Sequence, residues 1–470
     1  MPPPVRVRMY KRLLGDCFLI TVGDPLAPRD ERSHILIDCG VLQQVPGEAA
    51  LMEAVADDVA ARVEGRLDLL VVTHEHWDHI SGFAHARAPL IDDMIIDRLW
   101  LAWTERRGDG QADAYRAKSV KAKKTVAEAA VRAGLAAAEI TARLEDFMGA
   151  AGPGGGKLTS LEIIPALIAR ATETGDVDYL EPGEVRETPG PISLTAYVLG
   201  PPRKPSRLTQ DLPSPGDAKE TFIVEQFEAA LDARYNAAET LGAALEAGSG
   251  SPFARGYPLE VDEIEDPKAD SDQRWLQARY YGPAEKRRRI DLDWLGSAGP
   301  LALKLDSDTN NTSLVLAFEL EAGGRVLLFA ADAQVGNWLS WHDQDYPADE
   351  PTVTARDLLG RTVLYKVGHH ASHNATLNTE GLARMTHPEL VAMIPVSEAE
   401  ARREKGGKAV HRGWDMPFPD LLVQLVERTN GRVLRGDSEP GKDPSGRILT
   451  EDAAFLGRVT DTGLYLEYEL

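Results

Sequence analysis

The chain has 470 residues, 43% hydrophobic and only 6% aromatic, with a formal charge of −22. This is apolar material enough for two or three domains' worth of core, which excludes a disordered or fibrous chain. So large a negative excess repels polyanions at long range, so any hold on nucleic acid must come from local basic patches. No apolar run approaches the roughly 18 residues of a membrane span, and the residues after Met1 lack a signal-type run, so a soluble cytoplasmic protein with no membrane role is expected.

In chain order, residues 5 to 100 alternate strand-like apolar runs with turns and one short helical pattern near residues 48 to 62. Cys17 and Cys39 sit inside two of these runs and are expected to be buried, reduced thiols. The apolar run 69–72 reads as a buried strand that delivers His74, His76, Asp78 and His79 onto the loop after it. Imidazole nitrogens and a carboxylate so placed suit zinc or manganese. From about residue 109 to 147 the spacing turns helical and alanine-rich, with a basic pattern of Arg116, Lys118, Lys121, Lys123 and Lys124; a second basic run covers 286–289. The glycine-rich stretch 149–157 fails the GxxxxGK[ST] template, which would put Ala151 first and Leu158 last, and reads as a linker. Helical spacing follows over 158–171, strand over 191–200, and a charged segment, helical from 218 to 246, over about 203–295. Three further runs close the chain's chemistry: 310–316, 326–329 leading to Asp332, and 365–373 with His369, His370 and His373.

The His74-Glu75-His76-Trp77-Asp78-His79 segment, with a strand before it and small residues after it, resembles the HxHxDH signature of the metallo-β-lactamase fold. The segments 310–316, 326–332 and 365–373 are similar to successive motifs of one branch, the hydrolase domain of bacterial DNA-uptake competence proteins of the ComEC type. The resemblance implies an α/β (α+β) class and a four-layer αβ/βα sandwich with helical insertions. It divides the chain into a first part of the fold (1–104), a helical insertion (105–180), return strands of the core (181–202), a second helical insertion (203–299) and the second part of the fold (300–470).

The resemblance also implies a site. His74 and His76 would hold one metal, Asp78 and His79 a second, with Asp332 bridging and His369 or His370 completing the second. Asp38, in an Asp-x-Gly turn, would face the site from behind. Between His79 and Asp332 the only histidine is His85, too close along the chain to be a further ligand, so water, Asp38 or substrate would fill the first metal's shell. One or two divalent ions are expected, Zn2+ first and Mn2+ as the alternative. The chemistry is hydrolysis by a metal-bound hydroxide, with Asp78 orienting the water and His373 protonating the leaving group. A phosphodiester is the expected substrate, as for a nuclease or phosphodiesterase, with Lys121, Lys123 and Lys124 gripping a polymer. The alternatives are a carbonyl ester, lactone, thioester or lactam, or a partner-gated effector whose helical insertions dock another protein.

Overall fold

Fully apolar runs rich in β-branched and aromatic residues become the central strands of two sheets. The computed structural model describes residues 3–42, 45–120, 158, 160–214, 220–222, 274–275, 278–279, 307–347, 352–402 and 414–470. The first sheet has eight strands in the order Val459–Asp461, Tyr465–Glu469, Val5–Tyr10, Cys17–Val22, Ser33–Cys39, Leu69–Val72, Arg98–Ala102 and Asp176–Leu180. It is antiparallel as far as Ser33–Cys39 and parallel beyond. The second has seven, in the order Val185–Glu187, Thr195–Gly200, Val315–Glu319, Val326–Phe329, Thr362–Lys366, Val391–Ile394 and Val433–Arg435. It too changes from antiparallel to parallel, at Val326–Phe329.

Strand periodicity assigns each residue to a layer. Leu69 and Val71 join the layer between the sheets, where Val7, Phe18, Ile20 and Ile37 meet Leu316, Phe318, Leu327 and Phe329. Phe329 is central to that layer, its ring edge-on to Phe18 at 5.6 Å and to Phe318 at 5.9 Å. Burying such a ring stabilises the fold by roughly 1.5–3 kcal/mol. Leu70 and Val72 point the other way, toward helices. The helix Glu48–Val63 buries Met52, Val55, Ala56, Val59 and Val63, a stripe at spacings of one helical turn. With Trp77–His85 and Ser160–Thr174 it covers the first sheet, while Val335–Trp341, Ala355–Gly360 and Pro419–Arg428 cover the second. The result is the four-layer αβ/βα sandwich.

One boundary differs from the sequence expectation. Residues 160–180, assigned to the first insertion, belong to the sandwich: Asp176–Leu180 pairs in parallel with Arg98–Ala102, and the helix before it buries Ile163, Leu167 and Ala171. An edge strand that leads with Asp176 and Asp178 shows little apolar pattern, which is why it was read as insertion. Chain contacts divide the molecule into two units, one of 1–116, 144–225 and 306–470, the other of 117–143 and 226–305. Both sheets lie in the first, and the second falls almost wholly outside the described residues. Cys17 and Cys39 face each other in the register as buried free thiols. Among the described residues no helix is long and apolar enough to cross a membrane.

Two glycines seat the helix Trp77–His85 against this frame. A Cβ at Gly40 would lie 2.2 Å from the Asp78 carbonyl oxygen, and one at Gly15 would lie 2.6 Å from the same atom. Gly40→Ala must therefore displace backbone, and is expected to lower unfolding stability by about 1–3 kcal/mol. Gly110→Ala, with nothing within 4 Å of its Cβ, should leave the urea midpoint unchanged or slightly raised. Equal midpoints for the two variants would refute the close-approach argument.

Candidate metal centre

The parallel halves of the sheets bring C-terminal strand ends to one region, where open α/β sheets ordinarily present ligand-binding loops. After Leu69–Val72 the chain turns through Thr73 to His76, the N-cap of the Trp77–His85 helix, and Asp78 sits in the first helical turn. A helix N-terminus favours a carboxylate there. The Asp78 carbonyl accepts from the Asp16 N–H at 2.9 Å, which fixes that turn against the start of Cys17–Val22.

Asp78 Oδ2 lies 3.0 Å from His370 Nε2 and 3.8 Å from His79 Nε2, and His79 Nε2 lies 3.2 Å from Asp332 Oδ2. One donor atom from each of Asp78, His79, Asp332 and His370 falls within 4.8 Å of all the others, and all four residues are buried. The tautomers follow from the other ring atoms. His370 Nδ1 faces the Pro395 carbonyl at 2.7 Å and His79 Nδ1 faces Asp38 Oδ2 at 2.8 Å. Both partners accept, so both Nδ1 atoms donate, and the Nε2 atoms are the ones turned toward the carboxylates. A ring nitrogen facing a carboxylate is stable only with a proton or a cation between them. Asp78 Oδ1, His79 Nε2 and both oxygens of Asp332 have no hydrogen-bond partner. Buried polar atoms left so cost about 1–3 kcal/mol each, and a divalent cation satisfies all of them at once. The donor set of two imidazoles and two carboxylates fits zinc or manganese.

His74 and His76 form a neighbouring pair, with His74 Nε2 3.0 Å from His76 Nδ1. The Thr73 hydroxyl donates to Asp38 and so accepts from His74 Nδ1 at 3.1 Å, leaving His74 Nε2 with its lone pair. Burial, together with the neighbouring His79 and His76, pushes the His74 pKa well down, so its ring is in the neutral form a metal takes. Among the described residues no grouping of three donors includes either ring. Of the two histidines left open by sequence, His370 joins the four-donor group, whereas His369 Nε2 stands 3.9 Å from Asp332. Asp38 does not reach the first metal's shell: its oxygens accept from the Thr73 N–H at 2.8 Å, the Thr73 hydroxyl at 2.7 Å and His79 Nδ1. It orients His79 instead.

Burial disfavours charge on His79, but Asp332, Asp16, Asp78 and Asp38 outweigh it and raise its pKa well above the ordinary value. The loops carrying these groups are strained. Asp38, Ala331, His369, His370 and Ala371 all have φ between 44° and 65°, left-handed backbone that costs non-glycine residues on the order of 1–3 kcal/mol each. Hydrogen bonds hold it in place, the Ala331 carbonyl accepting from both the His369 N–H at 3.1 Å and Lys366 Nζ at 2.9 Å.

Two residues escaped the sequence reading. Lys366 Nζ also pairs with Asp16 and lies 3.6 Å from Asp332 Oδ1. The signal was a lysine ending a buried strand just before paired histidines, and an aspartate opening one after Gly15. One expectation finds no support and one needs correction. His373 packs edge-on against Phe418 at 6.1 Å, and burial lowers its pKa to about 4, which favours the neutral ring over the imidazolium a general acid uses. Arg116 turns inward, bonding the Arg106 carbonyl at 3.0 Å as well as Thr104 and Asp113, rather than offering a basic face. Lys121, Lys123, Lys124 and the 286–289 run lie outside the described residues.

The model of the metallo-beta-lactamase superfamily matches residues 11–155, a stretch that contains Asp16, Asp38 and the whole His74 to His79 segment. Residues 11–155 are thus similar to the metallo-β-lactamase superfamily, whose proteins are generally hydrolytic enzymes. Asp332 and His370 come from beyond the matched residues and complete the donor group. No curated protein and no solved structure gives a significant match.

Asp38→Asn preserves the left-handed backbone, which asparagine tolerates, while removing the charge behind His79. Loss of such a carboxylate partner is expected to weaken Zn2+ or Mn2+ binding about 10–100-fold in a chelator-competition titration. Unchanged affinity would mean that His79 is fixed without Asp38. For His373 the folded pKa is depressed, so the ring stays neutral at every pH above about 5 and charges only near 4. His373→Gln should therefore leave the shape of the kcat/KM profile between pH 5 and 8 unaltered, and loss of an alkaline limb present in the wild type would restore the general-acid role.

Proposed function

We propose that this protein is a metal-dependent phosphodiesterase, nucleases included, whose ions are held by His74, His76, Asp78, His79, Asp332 and His370. The observation that carries this reading is the buried four-donor group, in which neither Asp332 oxygen is hydrogen-bonded although His79 Nε2 and Lys366 Nζ stand near them. Such a carboxylate would serve as a ligand to divalent ions, and paired ions would suit in-line displacement at phosphorus. Bound there, the ions supply Lewis acidity toward a phosphoryl oxygen and lower the pKa of water.

The chain's own groups divide the remaining work. Asp78 Oδ1, unpartnered and beside the His79 and His370 rings, is placed to accept from an attacking water and orient it. Asp38 fixes the His79 ring, Pro395 the His370 ring, and the Asp16 N–H the Asp78 turn. The likeness of the 310–316, 326–332 and 365–373 segments to the competence-type hydrolases supports the phosphodiester over the carbonyl substrates. Zn2+ is the first choice because of the imidazole ligands, and Mn2+ the second because the two carboxylates also suit it. A polymeric substrate or a partner protein would be met by surfaces of the two insertions, because so acidic a chain holds a polyanion only locally.

The test is a substrate panel on the purified chain with Zn2+ or Mn2+: an activated aryl phosphodiester, a lactone, a thioester and a chromogenic lactam. Phosphodiester turnover is expected, lost on chelation, restored by the ion and abolished by Asp332→Ala. Turnover confined to the carbonyl substrates would overturn the phosphodiester reading, and a chain that retains no divalent ion after reconstitution would overturn the metal centre itself.

A further inference from the structure

The strand Thr362–Lys366 ends in a lysine that is 1% exposed, an unusual place for an ammonium. Its surroundings explain its charge. Nζ donates to the Ala331 carbonyl at 2.9 Å and to Asp16 Oδ2, and has Asp332 Oδ1 at 3.6 Å. Two accepting oxygens and a further carboxylate oxygen nearby suit an ammonium, whereas a neutral amine would leave Asp16 and Asp332 without a compensating charge.

The neighbourhood holds more carboxylate than one divalent ion needs. Asp16, Asp38, Asp78 and Asp332 lie 3.7, 2.8, 3.8 and 3.2 Å from His79 ring nitrogens. Besides the four-donor group, Asp16, Asp38 and His79 converge as a second set of three buried donors. Asp16 Oδ1 has no hydrogen-bond partner, while Asp16 Oδ2 is the atom Lys366 occupies.

We infer that Lys366 is a built-in cation that reserves the Asp16 side of this cluster, confining divalent ions to the Asp78, His79, Asp332 and His370 side and loosening the hold of Asp332 on them. The inference rests on the metal-centre reading above. Lys366 acts through Asp16 and Asp332, so it is a positioning residue, and its effect has a sign that mere structural support does not share. Support lost by mutation weakens ion binding, whereas repulsion removed from a buried site strengthens it.

The experiment measures ion content after equilibration with Zn2+ or Mn2+, and affinity by chelator competition, for wild type, Lys366→Met and Lys366→Arg. Lys366→Met, nearly the same size without charge, is expected to bind its first ion at least about tenfold more tightly and to retain up to one additional ion per chain. Lys366→Arg, with the charge kept, should match wild type in ion count. If Lys366→Met does not fold, Asp16→Asn with Lys366→Met removes both charges of the pair; it should still bind the first ion more tightly, with no additional one. Wild-type binding together with equal or weaker binding in these Met variants would overturn the inference alone. Absence of ions from wild type and variants alike would overturn it together with the metal-centre reading.

Discussion

Like charges in a protein interior repel far more strongly than in water, and this molecule buries Asp16, Asp38, Asp78 and Asp332 around a single histidine. Such a cluster is compatible with folding only if each carboxylate has its own compensation. Asp38 is met by the Thr73 N–H and hydroxyl, Asp16 by Lys366, and Asp78 by the ring of His370. Asp332 has the least: His79 and Lys366 lie nearby, but neither oxygen is hydrogen-bonded. The least compensated carboxylate thus lies where the donor atoms converge, an imbalance that would attract a cation.

The sandwich exists to hold that imbalance open. Both sheets contribute to the cluster: Asp16, Asp38, Asp78 and His79 lie at or beyond the ends of strands of the first, Asp332, Lys366 and His370 at or beyond those of the second. The interdigitated apolar layer around Phe18 and Phe329 locks the two halves together, so the donors cannot relax apart to relieve repulsion. The left-handed residues at Asp38, Ala331, His369 and His370 are the local expression of the same constraint, since the backbone is bent to aim side chains that would otherwise point elsewhere.

What could be read in advance divides along physical lines. The 69–72 strand and its His74 to His79 loop were legible because a buried strand is a continuous apolar run and a metal loop is a dense polar one, adjacent in sequence. The helix at 48–63 was found to within a residue from its periodicity alone. Asp332 was legible from its place after an apolar strand. The choice of His370 over His369 was not, because successive left-handed residues reverse which side chain faces inward. Lys366 and Asp16 were missed for a related reason, as a terminal lysine or aspartate is ordinarily a solvated end and only the opposing sheet makes it a buried pair. The neutrality of His373 depends on burial against Phe418, a residue brought near by a separate segment.

The register of the first sheet has a bearing on how the chain comes to be folded during synthesis. Val5–Tyr10 is an interior strand, flanked on one side by Cys17–Val22 and on the other by Tyr465–Glu469, with Arg6 opposite Glu469. Until the chain has been extended to residue 465, one edge of that sheet stays unpaired, and the strands that supply Asp332 and His370 come late in the order, at Val326–Phe329 and Thr362–Lys366. Contacts of such sequence separation close slowly, since the entropy of the intervening loop must be overcome before the pairing returns anything. The donor group is thereby closed only once Val326–Phe329 and Thr362–Lys366 have joined it, and until Tyr465–Glu469 pairs, Val5–Tyr10 presents an open sheet edge of the kind that invites pairing with another chain.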